Sequence, residues 1–203
     1  MWIDWLHQWD EILTLALNHL HGPFSDACMM LLSRKQVWFP LYGVVAFFLF
    51  QRLGWRKALI VILSVALTTV ACDQTSNLIK DWVGRLRPCY NFNMISGGLH
   101  MLEGRGNYFG FFSAHAANSF GFAMSTLMGF RNDTRYRYRH YAFLIMTWAA
   151  LVSISRVFVG KHFIGDILVG TLIGLGYGAL FGYIARRIIM KGLPSPSLSR
   201  GTL

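Results

Sequence analysis

Residues 155–189 read SRVFVGKHFIGDILVGTLIGLGYGALFGYIARRII. The stretch leaves one apolar run at Ser155, turns through Gly160 and Gly165, and enters a second apolar run from about Ile164 to Ile189. A run of that length with no charge between Asp166 and Arg186 is long enough to cross a bilayer as a helix. Its glycines at 165, 170, 174, 176, 178 and 182 fit close helix packing in lipid rather than cofactor binding. At the head of the run, His162 and Asp166 stand four residues apart and share a helical face. A carboxylate on one imidazole nitrogen fixes the tautomer and leaves the other nitrogen free to attack an electrophile. Arg156 adds a planar fork suited to phosphate oxygens. A His–Asp pair alone more commonly serves structure, so its neighbours decide the reading.

The rest of the chain supports a membrane setting. The 203 residues are 54% hydrophobic and only 14% charged, and long apolar runs alternate with short basic segments. Besides 164–189, spans are expected over about 37–50, 58–79, 115–130 and 141–155. The fold class is therefore all-α: a polytopic membrane bundle of about five to six spans, occupying 34–191. Residues 1–33 are only moderately apolar. Trp2, Trp5, Leu6 and Trp9 recur at helical spacing, as in an amphipathic helix at headgroup level, and Ser25 is placed to cap a second short helix to Leu32. Residues 192–203, rich in Pro and Ser, read as a disordered cytoplasmic tail. The start, with Asp4 and three tryptophans, lacks the basic segment of a cleaved signal peptide.

Other classes fall away. Three cysteines without a Cys-x-x-Cys pattern indicate neither a zinc site nor a disulfide framework. The net charge of +10 comes from basic residues bordering apolar runs, which marks topology and not nucleic-acid binding. Segments 51–57, 131–140 and 186–203 hold eleven Lys and Arg, against six in 80–113 and 156–163. The positive-inside rule places the first group in the cytoplasm and the second outside.

That outer side gathers the remaining chemistry. Lys80 and Arg87 are two helical turns apart and would share a face if the helix continued to Pro88. Asp73, within a span, would serve as a counter-ion to the basic residues or pack against a polar helix. Ser113 reads as the N-cap of the span at 115–130, where free amides and the helix dipole attract an anion. His115 is placed to give a proton to a leaving oxygen, with Asn118 and Ser119 one turn on to hold its ring. The loop 89–111, with Tyr90, Asn91, Asn93, His100, Glu103, Arg105 and Tyr108, is expected to shape headgroup selection.

Taken together, Lys80-x6-Arg87-Pro88, Ser113-Ala114-His115 and Ser155-Arg156-x5-His162-x3-Asp166 resemble the type 2 phosphatidic acid phosphatase superfamily of membrane lipid phosphatases. The first and third motifs agree in full. The middle one departs, with Phe112-Ser113-Ala114-His115 where the family commonly has Pro-Ser-Gly-His. The resemblance implies attack on phosphorus by His162 oriented by Asp166, proton delivery by His115, and a phosphate cradle of Lys80, Arg87, Ser113, Ala114 and Arg156. It implies no cofactor and no metal, a phosphorylated lipid as partner, and a site facing the exterior of a bacterial inner membrane. Small size and amphipathic N-terminal helices resemble the undecaprenyl-diphosphate phosphatases of this superfamily, which makes that lipid the expected substrate. Phosphatidylglycerophosphate, phosphatidic acid and lipid A phosphates stand as alternatives. A non-hydrolytic headgroup-binding or transport protein is the alternative of another class, but repeated halves are not seen.

Overall fold

The computed structural model describes residues 2–192, with side chains from Asp4 onward. The expected disordered tail lies, beyond Gly192, outside the described residues. The elements are α1 (Trp2–Asn18), α2 (Pro23–Ser33), α3 (Phe39–Leu53), α4 (Trp55–Val83), α5 (Phe92–Ser96), α6 (Ala114–Phe130), α7 (Arg139–Phe158) and α8 (Ile164–Gly192). Helix α3 follows a 3-10 turn at Lys35–Trp38. The five expected spans are all present as helices with ends shifted by up to four residues; α3 starts two residues later than expected, after the 3-10 turn. By length and composition α4, α7 and α8 can cross a membrane. Helices α3 and α6, of 15 and 17 residues, are shorter.

Helix α6 is the axis of the bundle and packs against α8, α4 and α7. It can do so because its sequence is small: Ala116, Ala117, Gly121, Ala123, Ser125 and Gly129 are buried. Helix α8 answers with a glycine every fourth residue. A Cβ at Gly170 would lie 2.5 Å from Ser113 O, one at Gly174 2.2 Å from Ala117 O, and one at Gly178 2.7 Å from Gly121 O. A Cβ at Gly182 would meet Met128 Cβ at 2.8 Å. Contacts advance in the same direction along both helices, so α6 and α8 are parallel and their N-termini lie side by side. On the other flank, Gly121 and Gly129 admit Thr68 and Val61 of α4. In lipid, where apolar burial drives little association, such backbone approach supplies the packing energy.

Two expected boundaries shift. Helix α2 starts at Pro23 behind Gly22, because proline at the first turn forgoes an amide that has no partner there. Ser25 is therefore not the cap; its hydroxyl donates back to Gly22 O at 3.0 Å. Helix α4 does not run to Pro88 but stops at Val83, with Gly84 at φ 63° closing it through its N–H to Lys80 O. Arg87 consequently lies on the following loop. There an isolated antiparallel bridge joins Leu86 to Phe109, closed by Arg87 N to Tyr108 O and Gly110 N to Arg85 O, both 2.9 Å.

Helix α1 is amphipathic as expected, with an unexpected inner face. Trp5, Leu6, Trp9, Ile12 and Leu13 point outward, whereas Glu11, Thr14 and Asn18 are buried against the protein.

The ladder makes a paired test. Gly174→Ala should destabilise the protein by about 1–3 kcal/mol through overpacking. Gly176→Ala, with nothing within 4 Å, should be neutral or gain up to about 1 kcal/mol of helix propensity. Thermal unfolding in detergent reads both, and equal midpoints would mean that the α6–α8 contact is looser than described.

Candidate active site

The parallel start of α6 and α8 brings two motifs together. Ser113 caps α6, its Oγ accepting from Ala116 N at 3.5 Å, and its own N–H donates to Asp166 O at 3.0 Å. Ala114 opens α6, where first-turn amides lack helical partners. His162 is buried in the turn between α7 and α8, with Nδ1 3.3 Å from Asp166 Oδ2. The same oxygen accepts from Phe163 N at 3.0 Å, so the carboxylate is fixed by backbone as well as by the ring. A proton on Nδ1 lets the ring donate to Asp166 and leaves Nε2 as the free lone pair.

Positive groups surround this pair. His115 is within electrostatic range of His162, Arg156, Arg87 and Lys35. Lys80 is within range of Arg87, Lys35 and Asp166. The structure thus brings together the histidines and charged residues of the three motifs, although Arg87 arrives on a loop rather than on α4. Among the described residues, Lys80 and Arg87 make no ion pair; Arg87 Nε donates to Phe109 O at 3.1 Å. Half-buried cations without an ion pair are poised for an anion.

Arg156 is different. Its Nη1 donates to Ser33 Oγ and lies 3.3 Å from Glu103 Oε1, while its buried Nε has no partner. Glu103 is thereby more than loop surface. Burial alone would raise its carboxyl, but the Ser33 hydrogen bond and the Arg156 charge outweigh that and hold it below the usual range. The buried Lys161, one residue before His162, donates to Gly104 O and to Arg105 O, the latter at 2.8 Å. The expected support of His115 is also revised. Asn118 Nδ2 donates to Asp73 Oδ1 at 2.8 Å, and the His115 ring makes no hydrogen bond among the described residues. Most other loop residues brace the fold: Asn91 and Asn93 bind Glu11, Tyr90 binds Gly106 O, and His100 binds Asp26.

A mostly apolar cavity of about 460 Å³ opens beside the site. Trp38, Tyr42, Phe122 and Val152 line it, and His115, Lys35, Ser33 and Asp73 border it. The sequence reading passed over Arg85, whose Nη1 donates to Asp166 Oδ1 at 2.7 Å, and Asp10, which accepts from Arg85 Nη2 at 2.7 Å. Arg85 lies in the first motif, but nothing in its spacing separates it from a juxtamembrane arginine.

A nucleophile-type His–Asp pair inside a ring of cations, beside an apolar cavity in a bundle of long apolar helices, defines a membrane enzyme acting on a phosphorylated, lipid-bearing substrate. Residues 54–189 match the PAP2 superfamily, and the chain belongs to that superfamily; it is a membrane lipid phosphatase. The lipid A 4'-phosphatase of Bacteroides thetaiotaomicron is 35% identical over 98% of this chain and 88% of its own length. That of Porphyromonas gingivalis is 32% identical over 87% of this chain and 72% of its own. In fold, the chain is similar to a PAP2-type phosphatidylglycerolphosphate phosphatase from Bacillus subtilis, with TM-score 0.67, 20% identity, and coverage of 93% and 88% of the two chains. It is also similar to Aquifex aeolicus LpxE, with TM-score 0.61, 22% identity, and coverage of 86% and 93%.

Burial pushes the His162 imidazole down to about 4, against the opposing pull of the Asp166 hydrogen bond and charge. The folded protein then binds fewer protons than the unfolded chain between pH ~6.5 and the folded value. This group's contribution to stability is thus lost as pH falls through that window. Histidine 15N NMR in detergent should find His162 neutral at pH 5.5. A midpoint near 6.5 would show that the ring is solvated.

Proposed function

We propose that the protein removes a phosphate monoester from a lipid A-type glycolipid, at the 4' position, through a phosphohistidine on His162. The reaction class is carried by one observation: a His–Asp pair with a free ring nitrogen lies near Lys80 and Arg87, cations that make no ion pair among the described residues. The choice of lipid rests on the two relatives named lipid A 4'-phosphatase, which align along most of this chain. They favour an alternative of the sequence reading over undecaprenyl diphosphate.

In the first step, the Nε2 lone pair of His162 attacks phosphorus, and the bond from phosphorus to the lipid oxygen breaks. His115 protonates that oxygen as it leaves. Asp166 accepts the Nδ1 proton in a hydrogen bond and stabilises the developing positive charge on the ring. Lys80, Arg87 and Arg156, with the Ser113 hydroxyl and the first amides of α6, hold the non-bridging oxygens and their charge. In the second step, water gives a proton to His115 and attacks phosphorus, the bond from phosphorus to His162 Nε2 breaks, and inorganic phosphate leaves. These cations supply the electrostatic role that a metal ion fills in other phosphatases, so EDTA should leave turnover unchanged. The apolar cavity next to His115 would take part of an acyl chain, with the headgroup at the cationic mouth.

The positive-inside rule supports a multi-pass arrangement in the bacterial inner membrane with this site on the periplasmic face. Residues 34–191 would form the phosphatase domain, with 1–33 as its N-terminal addition.

Phosphate release from purified protein, with lipid A, undecaprenyl diphosphate, phosphatidylglycerophosphate and phosphatidic acid side by side in EDTA, tests the proposal. Lipid A should be hydrolysed fastest, with loss confined to its 4' phosphate. Faster release from undecaprenyl diphosphate would overturn the substrate assignment and leave the mechanism standing. His162→Ala should abolish turnover, and His115→Ala should slow the first step by about 10²–10⁴-fold. Wild-type rates from His162→Ala would remove the nucleophile.

A further inference from the structure

Asp10, Thr14 and Asn18 recur every fourth residue of α1 and so form one stripe. Each touches the segment that carries His162. Asn18 Nδ2 donates to Val157 O at 3.0 Å and Phe158 O at 3.2 Å, the last carbonyls of α7. Thr14 Oγ1 accepts from Ile164 N at 3.1 Å, and Asp10 Oδ1 accepts from Gly165 N at 2.8 Å. The stripe therefore holds both ends of the catalytic turn, binding the last carbonyls of α7 on one side and the first amides of α8 on the other.

Asp10 does more than brace. Its second oxygen takes Arg85 Nη2 at 2.7 Å, while Arg85 Nη1 reaches Asp166 Oδ1 at the same distance. Arg85 also lies over the Phe163 ring, 4.1 Å from its centre. A planar guanidinium thus links two carboxylates in fork geometry, and the far one faces the His162 ring. The contact with α8 is close: a Cβ at Gly165 would stand 2.6 Å from Asp10 Oδ2.

We propose that Asp10 is a positioning residue for phosphoryl transfer, acting through Arg85 to orient Asp166 on His162. The inference rests on His162 being the nucleophile. Asp10 also sets the charge balance at the turn, because it neutralises Arg85 and leaves Asp166 free to support the imidazole. The groups facing His162 are Asp166 from α8, Arg156 from α7, His115 from α6, and Arg85 and Arg87 from the loop after α4. Helix α1 adds Asp10 and His7, with His7 Nδ1 3.3 Å from Arg85 Nη2. Removing the Asp10 charge makes this set more positive and disfavours protonated His162.

Asp10→Asn keeps the size and one acceptor but cannot serve both Gly165 N and Arg85. The full-length variant in detergent should lose about tenfold to hundredfold in kcat, with KM for the lipid within about threefold. The acid limb of kcat should move to lower pH. A variant that is merely loosened would admit water at the turn and move that limb upward, towards 6.5. Asp26→Asn removes the same charge from α2, where it pairs with His100, and should leave kcat and the pH profile as in the wild type. Asp10→Glu restores the charge and should recover the position of the acid limb. Combining Asp10→Asn with Arg85→Gln should cost no more than Arg85→Gln alone, since both break one path. Wild-type kcat in Asp10→Asn, an upward shift of the limb, or additive losses in the double variant would each overturn the proposal. His162→Ala, measured in parallel, separates the two readings. If it is inactive while Asp10→Asn is unimpaired, only the positioning role fails.

Discussion

The close approach of α6 and α8 is the constraint on which the rest of the structure depends. Glycines at 170, 174, 178 and 182 let the two backbones touch along four successive turns. Because the helices are parallel, their N-termini meet at one end, and the Ser113 amide binds the Asp166 carbonyl there. Two helix dipoles then point their positive ends at one small volume. His115 rides on one helix and Asp166, the carboxylate against the His162 ring, on the other. A bulkier α8 would separate them, and no local adjustment of a loop would bring them back.

Charge is distributed around that meeting point in two ways. Arg85 and Arg156 are tied to carboxylates from other segments, Asp10 with Asp166 and Glu103 respectively. Lys80 and Arg87 are not. The first kind adds little net field but fixes geometry, since an arginine fork is directional. The second leaves its field unspent on protein partners and available to a phosphate. A buried ion pair is weak evidence for stability, and here its value lies in orientation.

Much of this was legible in the chain. The apolar runs gave the helices to within a few residues, and the three motifs met at one end of the bundle. Ser113 was readable as a cap because serine before an apolar run has one common use. Other features were not readable, for physical reasons. Gly84 closes α4 before Arg87, but a lone glycine between basic residues gives no sign that it will adopt positive φ. Glu103 and Asp10 gain meaning only from partners 53 and 75 residues away, and such pairings have no sequence period. The tryptophans of α1 correctly marked an outward apolar face, while its polar face read as solvated. The catalytic motifs also carry no signature of the lipid.

The inverted amphipathicity of α1 bears on how the protein is made. Its stripe of Asp10, Thr14 and Asn18 leaves the ribosome ahead of its partners near Gly165, which follow about 150 residues later. Until α8 emerges, the tryptophan face can rest in the bilayer while Thr14 and Asp10 lack the Ile164 and Gly165 amides that they accept from. The His162–Asp166 pair is therefore complete only once α8, which carries Asp166, has been made.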